Sequence, residues 1–277
     1  MKITRKQIRA IIKEELNREL PISYYSDEMI MQEGLLDWLG NLFGKLVGFF
    51  TGAADKGASR ASTGYETVFE DSKLQKIAKK HGLDGLGEPG DFKHHHLDME
   101  DKKHRLVFFE ATAGHLSSTA AEETEALQQA AKIPDWTPKD DSEEAAKEWQ
   151  EKNGDAAAGF WEVVGSVGWG CGWLGNEMGI KGGNTAAGKL EAAGESGNPA
   201  EGSEALIAGL EWMIKVFDKG VSDGSEFASD AKSLLDAELA AATAVAKAIA
   251  ESGKEQQKES LELRKLINTL VQQVIEG

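Results

Sequence analysis

The hydrophobic and polar positions along this chain repeat mostly with the period of an α-helix, since apolar residues recur three or four positions apart. The helices that this pattern predicts in the central and C-terminal parts cover residues 65–81, 118–132, 142–153, 203–219, 225–252 and 254–276. Glycines separate the last three, which form a C-terminal helical segment over 203–277. The sequence therefore predicts a mainly α-helical protein, built as a helical bundle.

One stretch departs from the helical period. Residues 91–112 contain the segment DFKHHHLDM, the polar turn EDKK and the apolar run HRLVFFEAT. β-Branched and aromatic residues after a turn are typical of a strand. This stretch predicts one small β-hairpin inside an α-rich domain over 61–180.

The histidines of this stretch are the candidate metal ligands. Across a hairpin, His94 and His96 share a face and His104 on the second strand could join them. Three imidazoles so placed lie at distances that a divalent metal accepts. Their spacing matches no established zinc motif, and a solvated hairpin face would have the same composition. A cluster that gains charge in acid is the other functional interpretation.

Glycines recur at helical spacing in a predicted helix over about 155–180. On one face of this helix they form a stripe, the glycine seam, which consists of Gly165, Gly168, Gly172, Gly175 and Gly179. Each glycine weakens a helix by up to about 1 kcal/mol relative to alanine, so the stripe requires a partner backbone in close approach. After it, residues 181–202 are rich in glycine and acids and predict a flexible linker.

The segment over 34–60 predicts an apolar amphipathic helix followed by a linker. Its apolar residues between 35 and 50 occupy one arc of a helical wheel, and the run is too short to span a bilayer comfortably. Such a helix belongs either to the core of a bundle or to a membrane surface. A membrane-active protein that inserts this helix and the glycine-seam helix into a bilayer is therefore the alternative to a soluble bundle.

Composition and motifs argue against nucleic acid and against enzymatic chemistry. The formal net charge of −16 disfavours direct contact with a nucleic-acid backbone, and the single Cys171 fits a reducing compartment. The G-x-G-x-x-G string at 170–175 lies in the glycine seam and not between a strand and a helix. The G-x-S-x-G string at 220–224 has no histidine after it, as an α/β-hydrolase would require. We therefore assign no catalytic residue and no cofactor.

The first 33 residues differ from the rest of the chain. A helical repeat of isoleucine and leucine ends at Pro21, and the first 13 residues carry five bases and no acid. At Gly34 the composition changes from a polar stretch to the apolar run GLLDWLGNLFG. Residues 1–33 thus have the form of a targeting helix with a processing point behind it, although a partner-binding or membrane-anchoring helix would share the pattern.

The string KITRKQIRAIIKEEL, followed by MQE and Gly34, resembles the leaders of internal head proteins in large tailed phages that mature by a prohead protease. In that family the leader helix directs the protein into the capsid core, and the protease cuts after Glu in a Leu/Ile-x-Glu pattern. Met31-Gln32-Glu33 before Gly34 matches this pattern with Met in place of Leu or Ile. The resemblance implies cleavage between Glu33 and Gly34.

The function that this resemblance implies is that of a virion-associated internal head protein, structural or packaged as cargo. Its partners would be other virion proteins and the prohead protease. The chain would occupy the host cytoplasm during assembly and the virion interior afterwards. The last predicted helix, with Leu263, Ile267, Leu270 and Val274 at heptad spacing, is a candidate for self-association into a homo-oligomer. A helix in the core of the bundle explains the same residues, and we slightly prefer it.

Overall fold

Seven helices make up most of the chain that the computed structural model describes, which is residues 50–83 except 66, 68 and 70, residues 97–138 except 137, and residues 143–275. In chain order they are α1 (50–65), α2 (Asp71–Lys80), α3 (Lys102–Ala130), α4 (Glu143–Asn176), α5 (Gly183–Ser196), α6 (Pro199–Ser222) and α7 (Glu226–Ile275). No strand occurs in this described part. The prediction of a mainly α-helical bundle is confirmed.

Local signals set several helix ends. Asp101 caps α3, where its carboxylate accepts hydrogen bonds from the backbone N–H groups of Lys103 and His104. Asn198 caps α6 by accepting from the N–H of Ala200, and Pro199 follows at the first helical position. Between α6 and α7, Gly224 has a φ of 83°, a left-handed conformation that glycine adopts without strain.

The core lies where the long helices pack together. The most extensive contacts join α6 to α7, α4 to α5, and α3 to α7. Phe108 and Phe109 of α3 and Phe217 of α6 are fully buried, and the ring centroids of Phe109 and Phe217 are 5.4 Å apart. Trp161 of α4 is also fully buried, with its ring centroid 5.5 Å from that of Phe50. These aromatic contacts tie the helices into one core.

The predicted β-hairpin over 91–112 is wrong in its second half. Residues 102–112, which include the run expected to form the second strand, belong to α3, and the polar turn before them carries the cap of that helix. Val107, Phe108 and Phe109 are all fully buried. Buried residues cover most of the circumference of this part of the helix, so its apolar run has little amphipathic period and resembled a strand.

Two segments that were predicted as linkers are helical. Residues 183–196, inside the predicted flexible linker over 181–202, form α5, and Leu190 of this helix is 1% exposed. The predicted linker after residue 50 lies in α1. A Cβ atom added at Gly57 of α1 or at Gly183 of α5 would meet the backbone of α4, so these two glycines reflect close packing rather than flexibility.

Predicted helix breaks are also absent at two places in the described chain. α4 joins the predicted helices over 142–153 and 155–180 into one helix, which ends at Asn176. α7 continues through Gly253 and replaces the two predicted helices over 225–252 and 254–276. A glycine in a helix costs only about 1 kcal/mol, which neighbouring turns can offset. None of the described helices is long and apolar enough to cross a membrane.

Candidate functional site: a polar groove over a buried carboxyl pair

A surface groove of about 580 Å³ runs between α1 and α3. The described residues that line it are polar or small, and they are Lys56, Ser59, Arg60, Thr63, Gly64, Thr67, His115, Ser118 and Thr119. No carboxylate is among them, although the protein as a whole is strongly acidic. The groove thus differs in charge from the acidic protein around it.

Three hydroxyl groups of the groove are already engaged as donors. Thr63 Oγ1 donates to the Ser59 carbonyl at 3.1 Å, Thr67 Oγ1 donates to the Thr63 carbonyl at 2.8 Å, and Ser118 Oγ donates to the His115 carbonyl at 2.6 Å. These oxygens can therefore offer lone pairs to a ligand more readily than protons.

The two cations of the groove face acidic partners. Lys56 Nζ lies 3.5 Å from Glu162, and Arg60 Nη1 lies 3.6 Å from Glu122. These surface carboxylates offset much of the positive charge at the groove. The surface is consequently rich in hydrogen-bond acceptors and close to neutral in charge.

His115 closes the floor of the groove and is 4% exposed. Its imidazole packs against the backbone of Gly64, where a Cβ atom would overlap the ring, and its centroid lies 4.5 Å from that of Tyr65. Burial, reinforced by the positive charge of Arg60, lowers the pKa of His115 to about 4. The ring is therefore neutral at physiological pH, and protonation there would require strongly acidic conditions.

Arg60 connects the groove to a carboxylate inside the bundle. Glu123 of α3 is 3% exposed, and its Oε1 accepts hydrogen bonds from Ser166 Oγ at 2.7 Å and from Arg60 Nη2 at 3.3 Å. Burial raises the pKa of Glu123, while the bonds from Ser166 and Arg60 oppose that rise. Glu123 is thus a buried acid with two donors and one nearby cation.

A second buried acid lies on α7. Glu238 is 1% exposed, and its Oε1 has no hydrogen-bond partner in the described structure. Burial raises the pKa of Glu238 well above its usual value, and the negative charge of Glu123 adds to the rise. The hydroxyl of Tyr65 is also buried without a partner. Polar atoms of this kind inside a core are costly unless they are neutral or hydrogen-bonded.

The glycine seam predicted on α4 faces two helices. A Cβ atom at Gly165 would overlap the carbonyl of Ala54 in α1 and lie 2.6 Å from its carbon. On the α1 side of the same contact, a Cβ atom at Gly57 would overlap the carbonyl of Glu162 in α4 and lie 2.8 Å from the Cα of Glu162. Real Cβ atoms do not approach other atoms so closely. The backbones of α1 and α4 therefore touch at these two glycines.

The next three glycines of the seam face α5. Cβ atoms built at Gly168 and Gly172 would lie 3.2 Å from the Cβ of Leu190 and 3.4 Å from the Cβ of Ala187. At Gly175 the added atom would lie 2.7 Å from the backbone nitrogen of Asn184. The last seam position, Gly179, lies beyond the end of α4 with a φ of 64° and nothing within 4 Å, so it serves a turn and not the seam.

The remaining predicted site residues are those of the processing point and of the candidate metal site. Glu33, Gly34, His94 and His96 lie outside the described residues. His104 lies in the first turn of α3, where its Nδ1 accepts a hydrogen bond of 2.9 Å from the Asp98 backbone. The expected placement of His104 on a strand is therefore wrong, and no group of three metal-ligating side chains occurs among the described residues.

Sequence reasoning missed the buried carboxyl pair. Both acids occupy helix positions whose neighbours three or four residues away are buried, as Ala120 and Leu127 are for Glu123, and Leu235 and Ala242 are for Glu238. An acid in register with an apolar face is the signal that could have identified them. Their association across α3 and α7 depends on tertiary packing and has no signature in the sequence.

The comparisons with known proteins assign the chain to no family. No protein-family model, no curated protein and no solved structure matches the chain.

Proposed function

We propose that this protein is an internal head protein of a large tailed phage, made with an N-terminal targeting helix and retained in the virion as a structural component or packaged cargo. The observation that carries the proposal is the sequence of residues 1–33, in which a stretch with a helical repeat and a basic first half is followed by Met31-Gln32-Glu33 before Gly34. Its partners are other virion proteins and a prohead protease, and its locations are the host cytoplasm and then the virion interior.

The structure of the body is compatible with this role. Residues 50–275 contain long helices with a continuous buried core, and the groove carries no evident arrangement of nucleophile and base. The net charge of −16 keeps such a body apart from the packaged genome by repulsion. We therefore favour a role in assembly or as cargo over an enzymatic one, without a bound cofactor and without direct contact to nucleic acid.

The test is the mass of the protein in mature particles. We expect the wild-type chain recovered from virions to begin at Gly34, and a Glu33→Ala chain to keep residues 1–33, because the protease requires the glutamate before the scissile bond. Glu28→Ala is the matched control, since it removes a nearby acid outside the Met-Gln-Glu string and should leave cleavage intact. Intact-mass spectrometry distinguishes these species.

Two results would count against the proposal in different ways. Full-length protein as the only species in mature particles would remove the processing step and leave uncleaved targeting. Absence of the protein from particles, both before and after maturation, would remove the virion role altogether.

The alternative proposal is a membrane-active protein. It rests on the apolar pattern over 35–50, which lies almost wholly outside the described residues, and on the glycine-seam helix. In the folded bundle the apolar side chains of that helix, among them Val163, Val167 and Leu174, are buried, so insertion would require the bundle to open. Release of a dye from anionic liposomes by the purified protein would support this alternative, and intact liposomes would argue against it.

A further inference from the structure

If both buried carboxyl groups, Glu123 and Glu238, were ionised, their negative charge would exceed the positive charge near them. Glu123 and Glu238 lie on α3 and α7, two helices in extensive contact, and both are almost completely removed from solvent. The cation that reaches the pair within the described structure is Arg60, whose Nη2 lies 3.3 Å from Glu123 Oε1. This guanidinium is shared between Glu123 and the exposed Glu122.

The groups that the other helices contribute add no second positive charge. α1 provides Arg60 and the Tyr65 hydroxyl, and α4 provides the Ser166 hydroxyl and the Cys171 thiol. Besides the pair itself, the only acid of α3 that acts on it is Glu122, which is exposed and raises the pKa of Glu123 slightly further.

Two ionised carboxylates in this setting would leave one negative charge buried and unpaired. Such a charge costs several kcal/mol, and a group that can take up a proton does so instead. Glu123 has Arg60 and Ser166 as partners for its ionised form, whereas Glu238 Oε1 has none in the described structure. The proton therefore belongs on Glu238.

We propose that Glu238 keeps its proton in the folded protein at neutral pH while Glu123 stays ionised beside Arg60, so that the packing of α7 on α3 depends on pH. The inference is independent of the proposed role in a phage head.

The direction of the effect follows from proton binding. Below the usual glutamate pKa of 4.5, the folded and unfolded chains both carry this proton, and the pair costs the fold nothing. As the pH rises above that value, the unfolded chain releases the proton while the folded chain keeps it. The equilibrium constant for unfolding then rises about tenfold per pH unit until the folded pair also ionises.

The proton can be observed directly in the wild-type protein. Infrared spectroscopy in heavy water should show the carbonyl stretch of a protonated carboxylic acid at neutral pH, because exposed carboxyl groups are ionised there. The band should disappear in Glu238→Gln and persist in Glu125→Gln, which removes an exposed carboxylate from α3. A wild-type spectrum without this band at neutral pH would overturn the proposal, whether or not the variants fold.

The coupling to the fold requires a second measurement. Urea unfolding between pH 5 and pH 8, followed by tryptophan fluorescence, should show that the unfolding constant of the wild type rises more steeply with pH than that of Glu238→Gln. The difference should approach a factor of about ten per pH unit, and Glu125→Gln should follow the wild type. Parallel pH profiles for the wild type and Glu238→Gln would refute the dependence of α7 packing on this proton.

Discussion

Replacing Gly165 by alanine would place a methyl group where the Ala54 carbonyl of α1 already lies. Alanine favours a helix over glycine by about 1 kcal/mol, whereas overpacking a tight interface typically costs about 1–3 kcal/mol. The atoms in the way belong to a backbone, which cannot rotate aside as a side chain can. We therefore expect the upper part of that range and a net loss of about 2 kcal/mol in the free energy of unfolding.

The matched control is Gly114→Ala, in the middle of α3. Gly114 is exposed, and a Cβ atom there meets nothing within 4 Å. This variant should gain about 1 kcal/mol from helix propensity alone. The same substitution is thus expected to have opposite signs at the two positions, with a difference of about 3 kcal/mol.

Thermal and urea denaturation of the two variants measure the effect. One kcal/mol corresponds to roughly 2–4 °C in the Tm of a chain of this size. Gly57→Ala should resemble Gly165→Ala, because it enters the same contact from the α1 side. The double variant should lose less than the sum, since helices already forced apart accommodate the second methyl group at lower cost. If Gly165→Ala is as stable as Gly114→Ala, the reasoning fails and α1 does not lie against α4 at this point.

Two further measurements test other parts of the bundle. Arg105 holds Asp223 through bonds of 2.6 and 3.0 Å, which lower the pKa of Asp223, so Asp223→Asn should cost about 1.5–3 kcal/mol at pH 7. This difference in stability should disappear as the pH falls through the pKa of the folded carboxyl. Asp218→Asn, at an exposed site, should change the stability little. Equal losses of stability in acid and at pH 7 would contradict the ion pair. Burial raises the pKa of Cys171 to about 12, so an aromatic disulfide reagent should modify this thiol only when the protein unfolds. Rapid modification of the native protein would show that the thiol is accessible to solvent.

The glycine seam and the α3 run illustrate how far sequence reasoning reaches. Gly165, Gly168, Gly172 and Gly175 recur at helical spacing, and their cost to the helix implied a closely packed partner. The spacing could not specify that α1 contacts the first of them and α5 the other three. In α3, the run around Phe108 is buried over most of the helix circumference, so its apolar residues showed little helical period and its composition favoured a strand.

The sequence by itself determined the helical class, the seam face of α4 and the distinct composition of residues 1–33, because helix periodicity and charge are local properties of the chain. Only the tertiary structure decided that residues 183–196 are a packed helix and that Gly253 does not end α7. It also decided that Glu123 and Glu238, 115 positions apart in the numbering, are both buried on two helices that pack together. Burial and charge coupling arise from which helices meet, and no local pattern encodes that choice.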